Sequence, residues 1–171
     1  MKKLIMAICL SVLPCSALSA QIGYEEKMNQ LNDQGQKEGY WVEYSGDWRF
    51  EHYYKNGVID GISKYYTPAG KLVGIGEYDN GIETGTWYHF GDYGHLSFIQ
   101  KDFSKNTYSL HHVSRLLPYK CYTITYHPNG NKKSEGILLW DESSEAELTF
   151  EYGLWKYYDE AGLLIEIREF K

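Results

Sequence analysis

The sequence predicts an all-β fold, an antiparallel sheet built from successive β-hairpins. Three observations carry this. An aromatic residue, three residues and a glycine recur from Tyr66 to Gly70, Phe90 to Gly94, Tyr126 to Gly130 and Tyr158 to Gly162. Glycines stand four apart at Gly35/Gly39, Gly57/Gly61 and Gly81/Gly85, and the last two pairs follow Tyr-x-Asn. Aromatic residues precede each turn and β-branched or aliphatic residues follow it, as strands prefer. Self-similarity at a steady period marks a repeat architecture. Such architectures present surfaces to partners more often than they build active sites from their repeated residues.

The chain begins with a segment that reads as a secretory signal peptide over residues 1–20. Lys2 and Lys3 supply the positive start, and an apolar run over 4–13 is too short to span a bilayer. Small residues follow at Ser16, Ala17, Ser19 and Ala20, placing cleavage after Ala20 or Ser19. Cys15 follows Leu13 and Pro14, where a lipid-attachment motif needs small residues, so it reads as a passenger of the leader. The expected location is therefore periplasmic or secreted, and no second apolar run is long enough for a transmembrane helix.

The full chain holds 17 basic and 23 acidic residues. The leader takes two lysines and no acid, which leaves 15 basic against 23 acidic residues, a net charge of −8. It also takes Cys9 and Cys15, so Cys121 alone remains and no internal disulfide can form. The acidic balance argues against nucleic acid and anionic headgroups, which need clustered Lys and Arg. Lys132-Lys133, the one adjacent basic pair after the leader, reads as the solvated start of a strand.

Residues 21–34 form an N-terminal lead-in, expected to be short helical or irregular structure over 24–31. Asn32-Asp33-Gln34-Gly35 is a degenerate turn within it. The repeat domain spans 35–171. In Thr67-Pro68-Ala69-Gly70 and His127-Pro128-Asn129-Gly130, proline presets the second turn position and glycine takes the left-handed fourth. Asp159-Glu160-Ala161-Gly162 offers the same chemistry without proline, and Gly94 closes the turn after Phe90. Strands before the turns are expected to start at Gly39, Gly61, Gly85 and Gly153. Two residues later stand Trp41, Ser63, Trp87 and Trp155; five residues later stand Tyr44, Tyr66, Phe90 and Tyr158. The two offsets have opposite parity, so the two sets lie on opposite faces of the pleat. After the turns the strands agree too: Val73, Ile75 and Tyr78 match Ile165, Ile167 and Phe170. The cadence breaks at 104–120 and again at 141–152, an acidic stretch; both read as irregular insertions.

These residues resemble the bacterial variant of the MORN repeat, found in exported proteins and in the group labelled YwqK-like antitoxins. The resemblance rests on the segments from Gly153 to Phe170, from Tyr78 to Trp87 and from Gly35 to Trp41. It implies an elongated, twisted sheet of hairpins and a protein-binding rather than catalytic role. The family brings no catalytic motif to carry over.

The remaining residues point to no reaction. Six histidines are present, but none stands in a paired metal-ligand spacing, and the adjacent His111 and His112 would point to opposite faces of a strand. Cys121 and His127 lack an orienting third group. Asp141, Glu142, Glu145, Glu147 and Glu151 cluster without the alternating ligands of a calcium loop. The turn glycines Gly57, Gly61, Gly70, Gly81, Gly85, Gly94, Gly130 and Gly162 do not precede helices, so no phosphate cradle is expected. No catalytic residue, metal or cofactor is therefore expected. Three readings follow. One is an exported module that binds another protein, including the case of a toxin-neutralising partner. A second is a glycan or cell-wall binder. The first would use a sheet edge or the aromatic set Trp41, Tyr44, Tyr66, Trp87, Phe90, Trp155 and Tyr158, and the second would use exposed aromatics, with Trp41, Trp87 and Trp155 as stacking platforms. The third is a hydrolase working through the acidic insertion.

Overall fold

The computed structural model describes residues 27–108, 117–141 and 148–171. The signal-peptide reading, and the lead-in up to residue 26, lie outside the described residues. Twelve strands follow in order: β1 (Gln30–Leu31), β2 (Lys37–Ser45), β3 (Trp48–Lys55), β4 (Val58–Ile59), β5 (Gly61–Tyr66), β6 (Leu72–Asp79), β7 (Ile82–Phe90), β8 (Leu96–Lys105), β9 (Tyr119–Tyr126), β10 (Lys132–Asp141), β11 (Leu148–Tyr158) and β12 (Leu164–Phe170). They form one open antiparallel sheet in chain order, with the short β4 pairing β3 just before β5 takes over. Elements make substantial contact only with their sheet neighbours, so among the described residues the sheet is a single layer. At about 4.8 Å per strand spacing the meander is about 50 Å across.

Five turns share one geometry. The first turn residue donates its N–H to the fifth residue's carbonyl, and the glycine donates to the first residue's carbonyl. This holds at Asn32, Thr67, Gly91, His127 and Asp159, with every such bond between 2.8 and 3.0 Å. Each closing glycine is left-handed, with φ from 75° at Gly70 to 87° at Gly130, as the hairpin bulge demands. The Asn32 turn is thus a full member of the series. Of the lead-in expected to be helical or irregular over 24–31, residues 27–29 are irregular and Gln30–Leu31 form β1 instead, with Asn29 Oδ1 accepting the Val42 N–H at 2.8 Å.

The glycine pairs have two different jobs. Asn56-Gly57 and Asn80-Gly81 are two-residue turns with both residues left-handed, joining the pairs Lys55↔Val58 and Asp79↔Ile82. Gly85 and Gly153 lie inside β7 and β11, where the register against the preceding strand shifts. They do not start strands; they release a bulge, with φ of 63° and 70°. A further two-residue turn at Gly46-Asp47 joins β2 to β3, a glycine outside the cadence.

The two breaks are shorter than expected. Ser104 pairs with Lys120 and Lys105 with Tyr119, so β8 and β9 run into the first break. Residues 148–152 pair with β10 from Asp141 to Ile137. Alternation of Thr149 and Glu151 with Phe150 and Tyr152 is a strand pattern that the local acidity concealed. Residues 109–116 and 142–147 lie outside the described residues. The meander sends both connections out at the end of the sheet that carries the Asn-Gly turns.

Candidate functional site

The structure places Trp41, Ser63, Trp87 and Trp155 on one face, and Tyr44, Tyr66 and Tyr158 on the other, as the parity predicts. Accessibility differs from what a stacking platform needs. Trp87 is 1 % exposed and Trp155 2 % exposed. Each indole lies flat over a glycine of the preceding strand. A Cβ on Gly76 would stand 2.0 Å from the Trp87 ring, and one on Gly136 would stand 2.4 Å from the Trp155 ring. The ring N–H groups donate to backbone carbonyls, Trp87 to Glu77 at 3.2 Å and Trp155 to Ile137 at 3.0 Å. These two rings are packing, and the glycine beneath each closes that face to a ligand. Trp41 is half-buried; its N–H donates to the carbonyls of Gln30 and Glu38, and the Lys37 ammonium sits 4.9 Å over the ring.

The tyrosine-bearing face is held by two similar clusters. Tyr66 donates to Glu51 at 3.2 Å while Arg49 stacks 4.0 Å over its ring and also pairs with Glu51. Tyr158 donates to Glu135 at 2.6 Å, and Lys132 donates to the same carboxylate at 2.7 Å. Burial works against the Glu135 charge, but the Lys132 and Tyr158 hydrogen bonds outweigh it and hold the carboxyl below its ordinary range. Burial, reinforced by Glu135, pushes neighbouring Tyr122 up to about 12. Phe90 has no hydroxyl to tether and lines a shallow depression beside Tyr93. Tyr44, at 68 % exposure, is the widest open of the seven aromatic residues.

The opening on the tryptophan-bearing face lies elsewhere. Four residues before each of the last four of these turns the chain reads Ser63, Trp87, Thr123 and Trp155. Their neighbours on the preceding strand are His52, Gly76, Gln100 and Gly136. Indole over glycine therefore alternates with a smaller polar pairing. In the first of these, His52 Nδ1 and Ser63 Oγ are bonded at 2.8 Å, both side chains buried. In the second, Thr123 opposes Gln100, and the missing indole leaves a cleft of ≈ 620 Å³. Its floor is Gln100, Thr123, Thr125 and Ser134. One wall is His89 stacked on Phe98, ring centres 4.1 Å apart; the other is Leu138, Trp140 and the edge of Trp155. Glu83, Asp141 and Glu151 also line it, at the end of the sheet that carries the Asn-Gly turns. No lysine or arginine lines the cleft among the described residues. Burial lowers His89 to about 4, so the ring is neutral, and its Nε2 has no partner among the described residues. The volume falls in the range of pockets that take a small ligand or a partner's side chains.

The other residues singled out for chemistry are dispersed. Cys121 is buried and burial pushes its thiol up to about 11, so no thiolate is at hand. His127 bonds the Tyr158 carbonyl at 3.0 Å, and β9 runs extended between it and Cys121, a separation of about 20 Å. Glu151 accepts from Tyr157 at 2.8 Å. His111, His112, Glu142, Glu145 and Glu147 lie outside the described residues. Among the described residues, no group of three His, Cys, Asp or Glu side chains could hold a metal ion, and no helix is long and apolar enough to cross a membrane. His89, Phe98, Gln100, Thr125, Ser134 and Trp140 were not legible as a site. The signal was present in the sequence as one threonine at a position that otherwise reads tryptophan on both sides.

No protein-family model matches this chain, and no curated protein matches it.

Proposed function

We propose that the protein is an exported, non-catalytic β-repeat module that binds another protein in the cleft between Trp87 and Trp155. The observation that carries this reading is the cleft itself. It is an aromatic-walled, polar-floored gap between two units that each close with an indole, and among the described residues no lysine or arginine lines it. Aromatic walls supply anchoring area for a partner's side chains. The resemblance to exported MORN-variant proteins supports the same reading, and neutralisation of a toxin is one form it takes. The test is photocrosslinking from a benzoyl-phenylalanine placed at Phe98, with Tyr93, 94 % exposed on a turn, as control position. A discrete protein adduct from cell-envelope extract at Phe98 alone is expected. No protein adduct, or the same adducts from both positions, overturns the reading.

A glycan is the second reading, favoured by the four hydroxyl and amide side chains of the floor beside aromatic walls. It requires a change in tryptophan fluorescence on titration with soluble cell-wall saccharides, and a flat titration removes it.

A further inference from the structure

The two edges of the sheet are unlike. The first, β1, is two residues long. The last, β12, runs seven residues from Leu164 to Phe170 and is exposed up to its final residue. Its outer side meets no strand among the described residues. Ile165 and Ile167 are 65 % and 56 % exposed. Edges of this length and apolarity recruit another strand unless something blunts them. The charges on β12 alternate in sign, Glu166, Arg168 and Glu169.

We propose that two copies of this chain pair β12 to β12, antiparallel, about a two-fold axis at Ile167. The register follows from elementary sheet geometry. Residues opposite one another in an antiparallel ladder put their side chains on the same face, while successive residues of a strand alternate faces, so the axis of a symmetric pair must pass through a residue. An axis at Glu166 sets that carboxylate against its own copy, and an axis at Arg168 does the same for two guanidinium groups; like charges directly opposite are destabilising. An axis at Ile165 pairs Arg168 and Glu169 with turn residues and shortens the ladder. The axis at Ile167 sets Glu166 opposite Arg168 of the partner subunit and the reverse, two attractive pairs on one face. It also sets Leu164 opposite Phe170 of the partner subunit, and Ile167 opposite its own copy. Within one chain Arg168 already reaches Glu166, at 2.8 Å from Nη2 to Oε1. The guanidinium is thus held on the face where the second carboxylate arrives. The charge order Glu-Ile-Arg is self-complementary in this register alone. The surface is separate from the cleft, so the dimer stands or falls apart from the cleft reading.

The experiment is sedimentation velocity on the chain from residue 21, with circular dichroism as the folding control. The wild type sediments as a dimer. Arg168→Glu faces two pairs of carboxylates, and Glu166→Arg faces two pairs of guanidinium groups; each weakens the dimer about tenfold or more. Mixing the two variants restores a dimer, because the mixed pair is again attractive at both positions. The double exchange Glu166→Arg/Arg168→Glu keeps the dimer. A second measurement avoids charge altogether: Ile167→Cys crosslinks to its own copy under mild oxidation, and Ile165→Cys, opposite Glu169 of the partner subunit, does not. A monomeric wild type overturns the proposal. Folded single variants that stay dimeric, or a mixture that stays monomeric, overturn it equally.

Discussion

Replacing Gly76 by alanine should destabilise the wild-type sheet and do the opposite in a sheet that lacks Trp87. The indole is 1 % exposed. Burying about 250 Å² at about 25 cal/mol per Å² is worth about 6 kcal/mol against an extended chain, and about 4 kcal/mol against a more compact one. That agrees with the 3–5 kcal/mol that tryptophan-to-alanine changes cost in cores, at about 4 kcal/mol for Trp87→Ala. A Cβ at position 76 would sit 2.0 Å from the ring, where ordinary contact begins at 3.4 Å. The ring must therefore shift and loses its bond to the Glu77 carbonyl. Overpacking of this kind costs about 1–3 kcal/mol, and the lost hydrogen bond adds about 1 kcal/mol. With Trp87→Ala in place the clash disappears, and alanine in a strand is favoured over glycine by roughly 0.5–1 kcal/mol. A double-mutant cycle by urea unfolding should thus give a coupling of about 3 kcal/mol with a change of sign in the Gly76→Ala effect. Equal penalties in both backgrounds would show that the glycine is not there to seat the indole. Gly136 and Trp155 provide the same cycle a second time.

The buried His52–Ser63 pair is the reciprocal of that arrangement. Ser63→Trp alone should cost about 2 kcal/mol or more through collision with His52, and His52→Gly should recover most of it, read from thermal unfolding of the two variants. His89 makes stability depend on acid. Its folded pKa, near 4, lies below its ordinary 6.5. The unfolded chain therefore binds a proton that the folded chain does not, and stability falls as pH drops through that window, by up to about 3 kcal/mol. A His89→Asn variant should flatten this limb of the pH–Tm profile, and an unchanged limb would refute the assignment. Cys121, buried with its thiol near 11, should react with thiol reagents at pH 8 at the rate of unfolding; rapid labelling of the folded chain would contradict the burial.

What was legible in the sequence was what short-range chemistry decides. Pro68, Pro128 and the left-handed glycines specify turns within five residues, because φ is a property of each residue alone. Period-two parity then separated Trp87 from the tyrosine set without any knowledge of partners. The all-β fold and the two aromatic faces follow from those local rules. Which strand lies beneath a given side chain is not a local property. Gly76 reads as one more flexible residue until the register places it under Trp87, and Thr123 reads as an ordinary strand residue until its neighbours on either side prove to be capped by indoles. Trp87 and Trp155 were closed for the same reason: exposure is set by what the adjacent strand offers, a glycine that lets the ring lie flat. The strand at 148–152 was hidden by its acids, because alternation decides pairing and net charge does not. Turns, parity and the succession of hairpins were thus determined by the sequence itself, since each depends on residues a few positions apart. The cleft, the buried tryptophans and the open edge at β12 were decided by the tertiary structure, because packing and accessibility belong to pairs of strands and not to any one of them.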